Sequence, residues 1–374
     1  MAVAVVLLAL AGCSSDPRPT ITAPTATLAA VPTPSPTPPP VVFPGEQWDR
    51  ADRGDWASLD GELASTASTC VAVVQDGELV HDAYFNGGSE RAPVRTYSIT
   101  KSLTSLLVGM ASDRGELSLD DTAATQVPQW RGTPASAVTV RDLLAMTSGR
   151  AWSEATDRQL IRGSSDQTAY AVGLGQAGAP GEWVYDNSAP QVLERVLAGA
   201  TGESSVVNLA QRDLLGPLGM RDTVWPTDAT GHATTYSGVE STCLDLARIG
   251  YLVLNQGTWD DQQLVSTDYV KQLSTPSSDR NAAYGLLWWT NAEGRVVEVL
   301  RQAGFTQDKA PYRGRLAPDV PADAIWAFGY GNQYVAVVPS LDLVAVRLGR
   351  RPATSDQVTF DSFTSGVIEA LGSR

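Results

Sequence analysis

The sequence predicts an α+β fold in three layers, an antiparallel sheet flanked by helices, with a helical subdomain inserted between its strands. Three observations carry that expectation. Strand patterns occur near the start of the globular region, at 70–80, and again near its end, at 325–348, while the stretch from about 98 to 225 reads as helix. No regular strand–helix alternation appears, which argues against a parallel βαβ series. Composition stays globular from Trp48 to Arg374 without a second linker or an internal repeat, so strands from distant segments must meet in one unit.

In chain order, Trp56, Leu59 and Leu63 recur at helical spacing. Residues 70–74, the Asp76-Gly77 turn and Leu79-Val80 read as a hairpin. An extended stretch at 94–97 then turns into an amphipathic helix whose apolar residues Ile99, Leu103, Leu106, Leu107 and Met110 share one face, with Gly115 following its end. Thr139 and Asp142 resemble a capping box ahead of Leu143, Leu144 and Met146, and Gly149 closes that segment. Further helices fit 189–199, 204–215 and 242–254. Strands return at 284–290, 325–328, 333–338 and 341–348, the last two joined by Pro339-Ser340, and a terminal helix over about 357–371 packs on the sheet. The cleft is expected between the sheet and the helical part.

Composition excludes several classes of function. The 374 residues carry 27 Lys plus Arg against 41 Asp plus Glu, a formal charge of −14 that repels polyphosphate backbones, so no nucleic-acid partner is expected. A hydrophobic content of 43% with ten Trp is enough for a sizeable core. There are two His (His81, His232) and three Cys (Cys13, Cys70, Cys243), none at a zinc-ligand spacing, and neither a metal nor an organic cofactor is expected. A Ser-His-Asp triad would need one of the two His, and no G-x-S-x-G elbow is present. Serine chemistry here needs a different base.

The first fifty residues are read as targeting sequence. Residues 2–11, AVAVVLLALA, are too short an apolar run to span a bilayer and stop at Leu10-Ala11-Gly12-Cys13, which resembles a bacterial lipobox with Cys13 as the lipidated residue. The departure from the pattern is the lack of Lys or Arg before the apolar run; a cleaved, non-lipidated signal is the alternative. Residues 14–46 are rich in Pro and Thr (PTPSPTPPP at 32–40), a stiff tether with no capacity for a core, and the folded domain follows at 47–374. The expectation is an exported bacterial protein, a lipoprotein held by its lipid anchor at the outer face of the cytoplasmic membrane. In that oxidising setting Cys70 and Cys243 are candidates for a disulfide, with two separate buried thiols the equal alternative.

The strongest chemical signal is Ser98-Ile99-Thr100-Lys101, where the extended stretch becomes the helix. A spacing of three puts Ser98 Oγ and the Lys101 amine on one helical face, and the helix N-terminus favours a developing alkoxide. Lysine serves as base when burial and nearby donors lower its pKa from about 10.4. The chain otherwise avoids lysine, holding only Lys101, Lys271 and Lys309, which points to a titratable amine being needed here, a service Arg cannot give. The second signal is Tyr185-Asp186-Asn187 ahead of the helix at 189–199: a phenol near a Ser/Lys pair can relay a proton, and an Asn two residues on can hold the lysine and a substrate amide.

Together with 140–149 (VRDLLAMTSG), Pro217-Leu218-Gly219-Met220 and Asp245-Leu246-Ala247-Arg248, these motifs make the chain, from about Cys70 to Leu348, resemble the serine hydrolases of the penicillin-binding-protein and class C β-lactamase superfamily. The resemblance implies a β-lactamase/transpeptidase-like fold. It also implies Ser98 as nucleophile, Lys101 as base, Tyr185 and Asn187 as relay and support, and the backbone N–H groups of Ser98 and Tyr330 as oxyanion hole, with Gly329 and Gly331 lining the cleft. The family's Lys-Thr-Gly or His-Thr-Gly strand is replaced by Ala327-Phe328-Gly329-Tyr330-Gly331-Asn332-Gln333, which lacks the cation that holds a substrate carboxylate. Its Gly-x-Gly-x-Gln ending is similar to the 6-aminohexanoate-dimer hydrolase and carboxylesterase branch. An ester or linear amide is therefore the expected substrate. A β-lactamase or D,D-peptidase acting on cell-wall peptides, with Arg313 or Arg315 standing in for the cation, is the runner-up, and a catalytically silent binding lipoprotein the third reading.

Two decoys are set aside. Gly173-x-Gly175-x-x-Gly178 matches a dinucleotide fingerprint as a string, but no buried strand precedes it and Pro180 follows where a helix should run, so it is read as loop. His81 and His232 are read as structural, and Trp288 and Trp289 as core and cleft wall.

Overall fold

The computed structural model describes residues 41–298, 310–350 and 358–372. The leader, Cys13 and the tether up to residue 40 lie outside the described residues. In chain order the elements are α1 (Ala57–Ser65), β1 (Ser68–Gln75), β2 (Glu78–Tyr84), β3 (Val94–Arg95), α2 (Ile99–Asp113), α3 (Val140–Leu144), α4 (Glu154–Arg162), α5 (Gln167–Gly173), α6 (Ser188–Thr201) and α7 (Val206–Ala210). After them come β4 (Glu240–Ser241), α8 (Cys243–Leu254), β5 (Thr258–Trp259), β6 (Gln262–Gln263), α9 (Thr267–Leu273), β7 (Trp289–Thr290), β8 (Gly294–Val296) and β9 (Tyr312–Gly314). The chain closes with β10 (Ile325–Gly329), β11 (Gln333–Val338), β12 (Leu343–Gly349) and α10 (Phe360–Leu371).

Six strands form the main sheet in the order β2-β1-β12-β11-β10-β7, every pair antiparallel. The first hairpin therefore pairs with the last strand, joining both ends of the globular region. Strands β1, β11 and β12 are buried along their whole length, which is why they read as unbroken apolar runs instead of alternating ones. On one face α8 packs so closely that a Cβ on Gly250 would lie 2.4 Å from Val344 Cγ1. On the other, α10 places Phe363 on Tyr334 and Thr364 on the Trp326 indole, with α1 beside it. Each buried Val contributes about 1.5–3 kcal/mol relative to an exposed one, so the two-sided cover accounts for much of the stability.

The helical insertion runs between β3 and β4, and α2 is its hinge with the sheet: it packs on β10 and β11 as well as on α6. An amphipathic helix was expected here, but Ile99 through Ala111 are all buried. The reason lies in its hydroxyls. Ser102 donates to the Leu287 carbonyl, Thr104 to that of Thr235 and Ser105 to that of Leu286, so the polar face is covered by loops instead of water.

The strand expected over 284–290 shrinks to β7, because the Gly285 N–H bonds the Trp288 carbonyl, Leu287 takes φ 59° and the chain folds back on itself. The helix expected over 204–215 is α7 followed by a wider turn at Gln211–Leu215. The last strand starts at Leu343, after a short turn at Pro339–Leu341 and an Asp342 with φ 51°. The Thr139–Asp142 capping box is present in both directions.

Cys70 and Cys243, placed by β1 and by the first residue of α8, are joined in a disulfide with a Cα–Cα distance of 6.2 Å, closing a loop across 173 positions. Cross-linking so long a loop restricts the unfolded chain strongly. Cys243→Ser is expected to lower stability by about 2–4 kcal/mol, read as a lower melting midpoint that added reductant does not lower further; an unchanged midpoint would contradict the bond.

Candidate active site

The site begins at the junction of β3 and α2. Thr96 is anchored by its N–H and its Oγ1, both donating to the Val239 carbonyl. Tyr97 then adopts φ 52°, a left-handed conformation that a bulky residue takes only when its surroundings impose it. That twist delivers Ser98 to the N-cap position just ahead of the helix, where its side chain makes no capping hydrogen bond.

One turn on, Lys101 is 1% exposed. Its Nζ lies 3.1 Å from Ser98 Oγ and donates to Asn187 Oδ1 at 2.7 Å and to the Tyr236 carbonyl at 2.9 Å. The rings of Tyr185 and Tyr236 stand 5.0 and 5.5 Å from the same nitrogen, so the amine is enclosed by π-faces as well as acceptors. Burial raises the Tyr236 phenol above its ordinary value. The structure thus gathers Ser98, Lys101, Tyr185 and Asn187 around one nitrogen.

Asn187 and Tyr185 are held by the start of α6. Between them Asp186 accepts from the Ala189 N–H at 2.6 Å and from Ser188 Oγ at 2.8 Å, fixing the helix entry, while burial raises its carboxyl above the usual range. Asn187 itself donates through Nδ2 to Asp157 Oδ2 at 2.9 Å and through its backbone N–H to Asp157 Oδ1 at 3.3 Å. The far wall is aromatic: Tyr185 stacks on Trp289 with centroids 6.0 Å apart, and Trp183 and Tyr284 meet both rings edge-on or tilted. Trp288 lies wholly in the core and Trp289 in this wall.

The end of β10 closes the other side. A Cβ at Gly329 would stand 2.1 Å from the Thr96 carbonyl oxygen, so only glycine lets the strand approach the segment that carries Ser98. Tyr330 follows, its ring edge-on to Tyr97 at 5.4 Å. The turn after it is clamped from behind. Arg347 donates to the carbonyls of Gly331 (2.9 Å) and Asn332 (2.7 Å), and Gln333 bonds Gly349 in both directions at 2.8 Å. Burial pushes the Arg347 guanidinium down to about 10.

The cation that the strand lacks is not supplied by Arg315, whose guanidinium is taken up by the Val320 and Pro318 carbonyls, and Arg313 lies on β9 in the small β8–β9 ribbon. On the Tyr97 side of the site Arg95 stands 5.2 Å above the Tyr97 ring. His81 pairs with Asp60 and stacks on Trp56; His232 pairs with Asp166. Among the described residues one group has metal-ligand chemistry, Asp166, Asp228 and His232, with donor atoms within 4.8 Å. Asp228 already accepts from Gln167, Thr230 and His232 backbone N–H groups, so its oxygens hold the loop. Gly173 ends α5 and Gly175 and Gly178 lie in the loop after it, without the strand-to-helix turn that cradles phosphates.

Sequence reasoning missed four contributors. Tyr236 meets the amine through its carbonyl and its ring face, which no local spacing reveals, and Asp157 sits in a polar segment where nothing marks it as buried. Arg347 is one Arg in an apolar run, and that isolation was the available signal. Gln333 was seen only as the end of Gly-x-Gly-x-Gln.

The chain matches the Beta-lactamase family over residues 57–361 and belongs to it. It is 23% identical over 271 residues to the 6-aminohexanoate-dimer hydrolase of Paenarthrobacter ureafaciens, spanning 64% of this chain and 69% of that one. Its fold is similar to a penicillin-binding protein homologue from Caulobacter crescentus (TM-score 0.62, 15% identity, 86% of this chain and 97% of that one). It is also similar to D-alanine carboxypeptidase AmpC from Burkholderia cenocepacia (TM-score 0.58, 22% identity, 85% and 97%). The family is one of serine hydrolases with amidase and esterase homologues.

Gly329→Ala is expected to cost about 1–3 kcal/mol through overpacking against the Thr96 backbone, seen as a lower midpoint in thermal or urea unfolding. A midpoint equal to wild type would show that β10 does not press on the Thr96–Ser98 segment.

Proposed function

We propose that this chain is an exported serine hydrolase that cleaves an ester or a linear amide through an acyl-enzyme on Ser98. The observation that carries the reading is the buried Lys101 amine 3.1 Å from Ser98 Oγ. Ser98 Oγ attacks the acyl carbonyl carbon while its proton passes to Lys101 Nζ. The carbonyl oxygen becomes an oxyanion, bound by the backbone N–H groups of Ser98 and Tyr330, with Gly329 and Gly331 giving the strand end its close approach. The tetrahedral intermediate collapses, the bond to the leaving oxygen or nitrogen breaks, and the proton reaches that atom through Tyr185, with Asn187 holding the lysine. Water then attacks the acyl-enzyme by the reverse proton route, releasing the acid and restoring Ser98. No cofactor enters this sequence.

Substrate class follows from the strand at 327–333. Without a lysine there and with Arg315 engaged by carbonyls, a carboxylate-bearing β-lactam lacks a charge-assisted hydrogen bond, a loss of about 1.5–3 kcal/mol, or about ten- to a hundredfold in binding. A neutral ester or amide loses nothing, and the wall of Trp183, Tyr185 and Trp289 suits an apolar acyl group. A second reading, a β-lactamase or D,D-peptidase, draws on the likeness to the D-alanine carboxypeptidase and on Arg95 at the Tyr97 ring. Export is supported by the Cys70–Cys243 disulfide, a bond that persists in oxidising compartments. Lipidation at Cys13, the membrane anchor and the tether at 14–46 belong to the same proposal.

A fluorophosphonate probe is expected to label wild type and not Ser98→Ala, and wild type is expected to turn over short p-nitrophenyl esters faster than a chromogenic cephalosporin. Labelling that survives Ser98→Ala would refute the nucleophile. The reverse substrate order would establish the β-lactamase reading, and binding of wall fragments without labelling the silent lipoprotein.

A further inference from the structure

Asp157 has no place in the sequence of steps above, yet it is 3% exposed and bonded twice to Asn187. Helix α4 buries only Asp157 and Leu160. A carboxylate taken out of water costs stability unless it is well hydrogen-bonded, and a polar surface helix has no packing need for one. We propose that Asp157 is a positioning residue that fixes the orientation of the Asn187 amide and thereby aims the Lys101 lone pair at Ser98; this rests on Ser98 being the nucleophile.

The argument is one of donors and acceptors. A neutral amine has two N–H bonds and one lone pair. Asn187 Oδ1 and the Tyr236 carbonyl oxygen can only accept, so the two N–H bonds of Lys101 are directed at them, at 2.7 and 2.9 Å. The remaining direction, toward Ser98 Oγ at 3.1 Å, is left to the lone pair, which is what a proton acceptor needs. An amide has two ends, however, and the alternative rotamer of Asn187 would turn Nδ2 toward Lys101. That N–H would donate into the lone pair, and Ser98 would have no base.

Asp157 decides between the two ends. A carboxylate offers only acceptors, and the end of Asn187 facing it is Nδ2. The second bond, from the Asn187 backbone N–H to the other carboxylate oxygen, holds the carboxylate in register with the first. An oxygen facing Lys101 is therefore the consequence of a carboxylate one residue further out. Removing it leaves the Asn187 amide free to take either orientation.

The test is a double-mutant cycle on the rate of fluorophosphonate labelling of the full chain, with Asp157→Asn and Asn187→Ala. Asparagine at 157 keeps the shape but can present oxygen or nitrogen. Asp157→Asn is expected to slow labelling tenfold or more, and ester hydrolysis is expected to lose kcat with KM within about twofold. In the Asn187→Ala background the same change is expected to slow labelling less than about twofold, because the positioning effect proposed for Asp157 runs through that amide. A loss as large in that background as in wild type, or no loss in the single variant, overturns the proposal. Should Asp157→Asn fail to fold, Asp157→Ser carries the cycle with the same criteria. Failure of wild type to react with the probe would instead refute the nucleophile assignment, which separates the two.

Discussion

The structure depends on one buried contact, the amine of Lys101 held between Ser98 Oγ, Asn187 Oδ1 and the Tyr236 carbonyl. A buried amine cannot be left without acceptors, so each partner must be brought to it by a different part of the chain. Ser98 and Lys101 share α2, Asn187 opens α6, and Tyr236 lies ahead of β4. The three meet only because the helical insertion is folded against the sheet. The covered polar face of α2 belongs to the same packing: Thr104 holds the 235 loop, whose next residue, Tyr236, reaches the amine, while Ser102 and Ser105 hold the loop at 286–287.

The sheet positions the opposite half of the site by closeness. Gly329 puts β10 against the Thr96 carbonyl, and Tyr97, with its left-handed φ of 52°, turns Ser98 out beside it. Arg347 and Gln333 hold the turn that carries Tyr330 from behind, using buried groups that would be costly if unpaired. A rigid turn suits the oxyanion role proposed for the Tyr330 N–H, since donors that must reorient during reaction lose most of their advantage.

Much of this was legible in the sequence because the strongest signals are local. Ser98 and Lys101 lie one helical turn apart, the Thr139–Asp142 box caps its helix, and the apolar runs at 70–74, 333–338 and 341–348 mark strands. What was not legible depends on distant segments or on backbone. The covering of α2 is set by loops more than a hundred residues away. The turn that cuts the strand at 284–290 down to two residues is fixed by Leu287 reaching Ser102 and Leu144. Asp157 lies among polar neighbours, so nothing in its segment marks it as buried, and Tyr236 meets the amine through a carbonyl and a ring face that no local spacing brings to Lys101. Cys70 and Cys243 carried no distance information in sequence; β1 and α8 supply it.

The account stands on covalent catalysis at Ser98, and the most direct measurement is the intact mass of the chain trapped by acid quench during turnover of a slow p-nitrophenyl ester. The mass is expected to rise by one acyl group, with p-nitrophenol released, and the added group to map to the peptide containing Ser98. Steady hydrolysis with no mass change, or an acyl group on a peptide without Ser98, would contradict it.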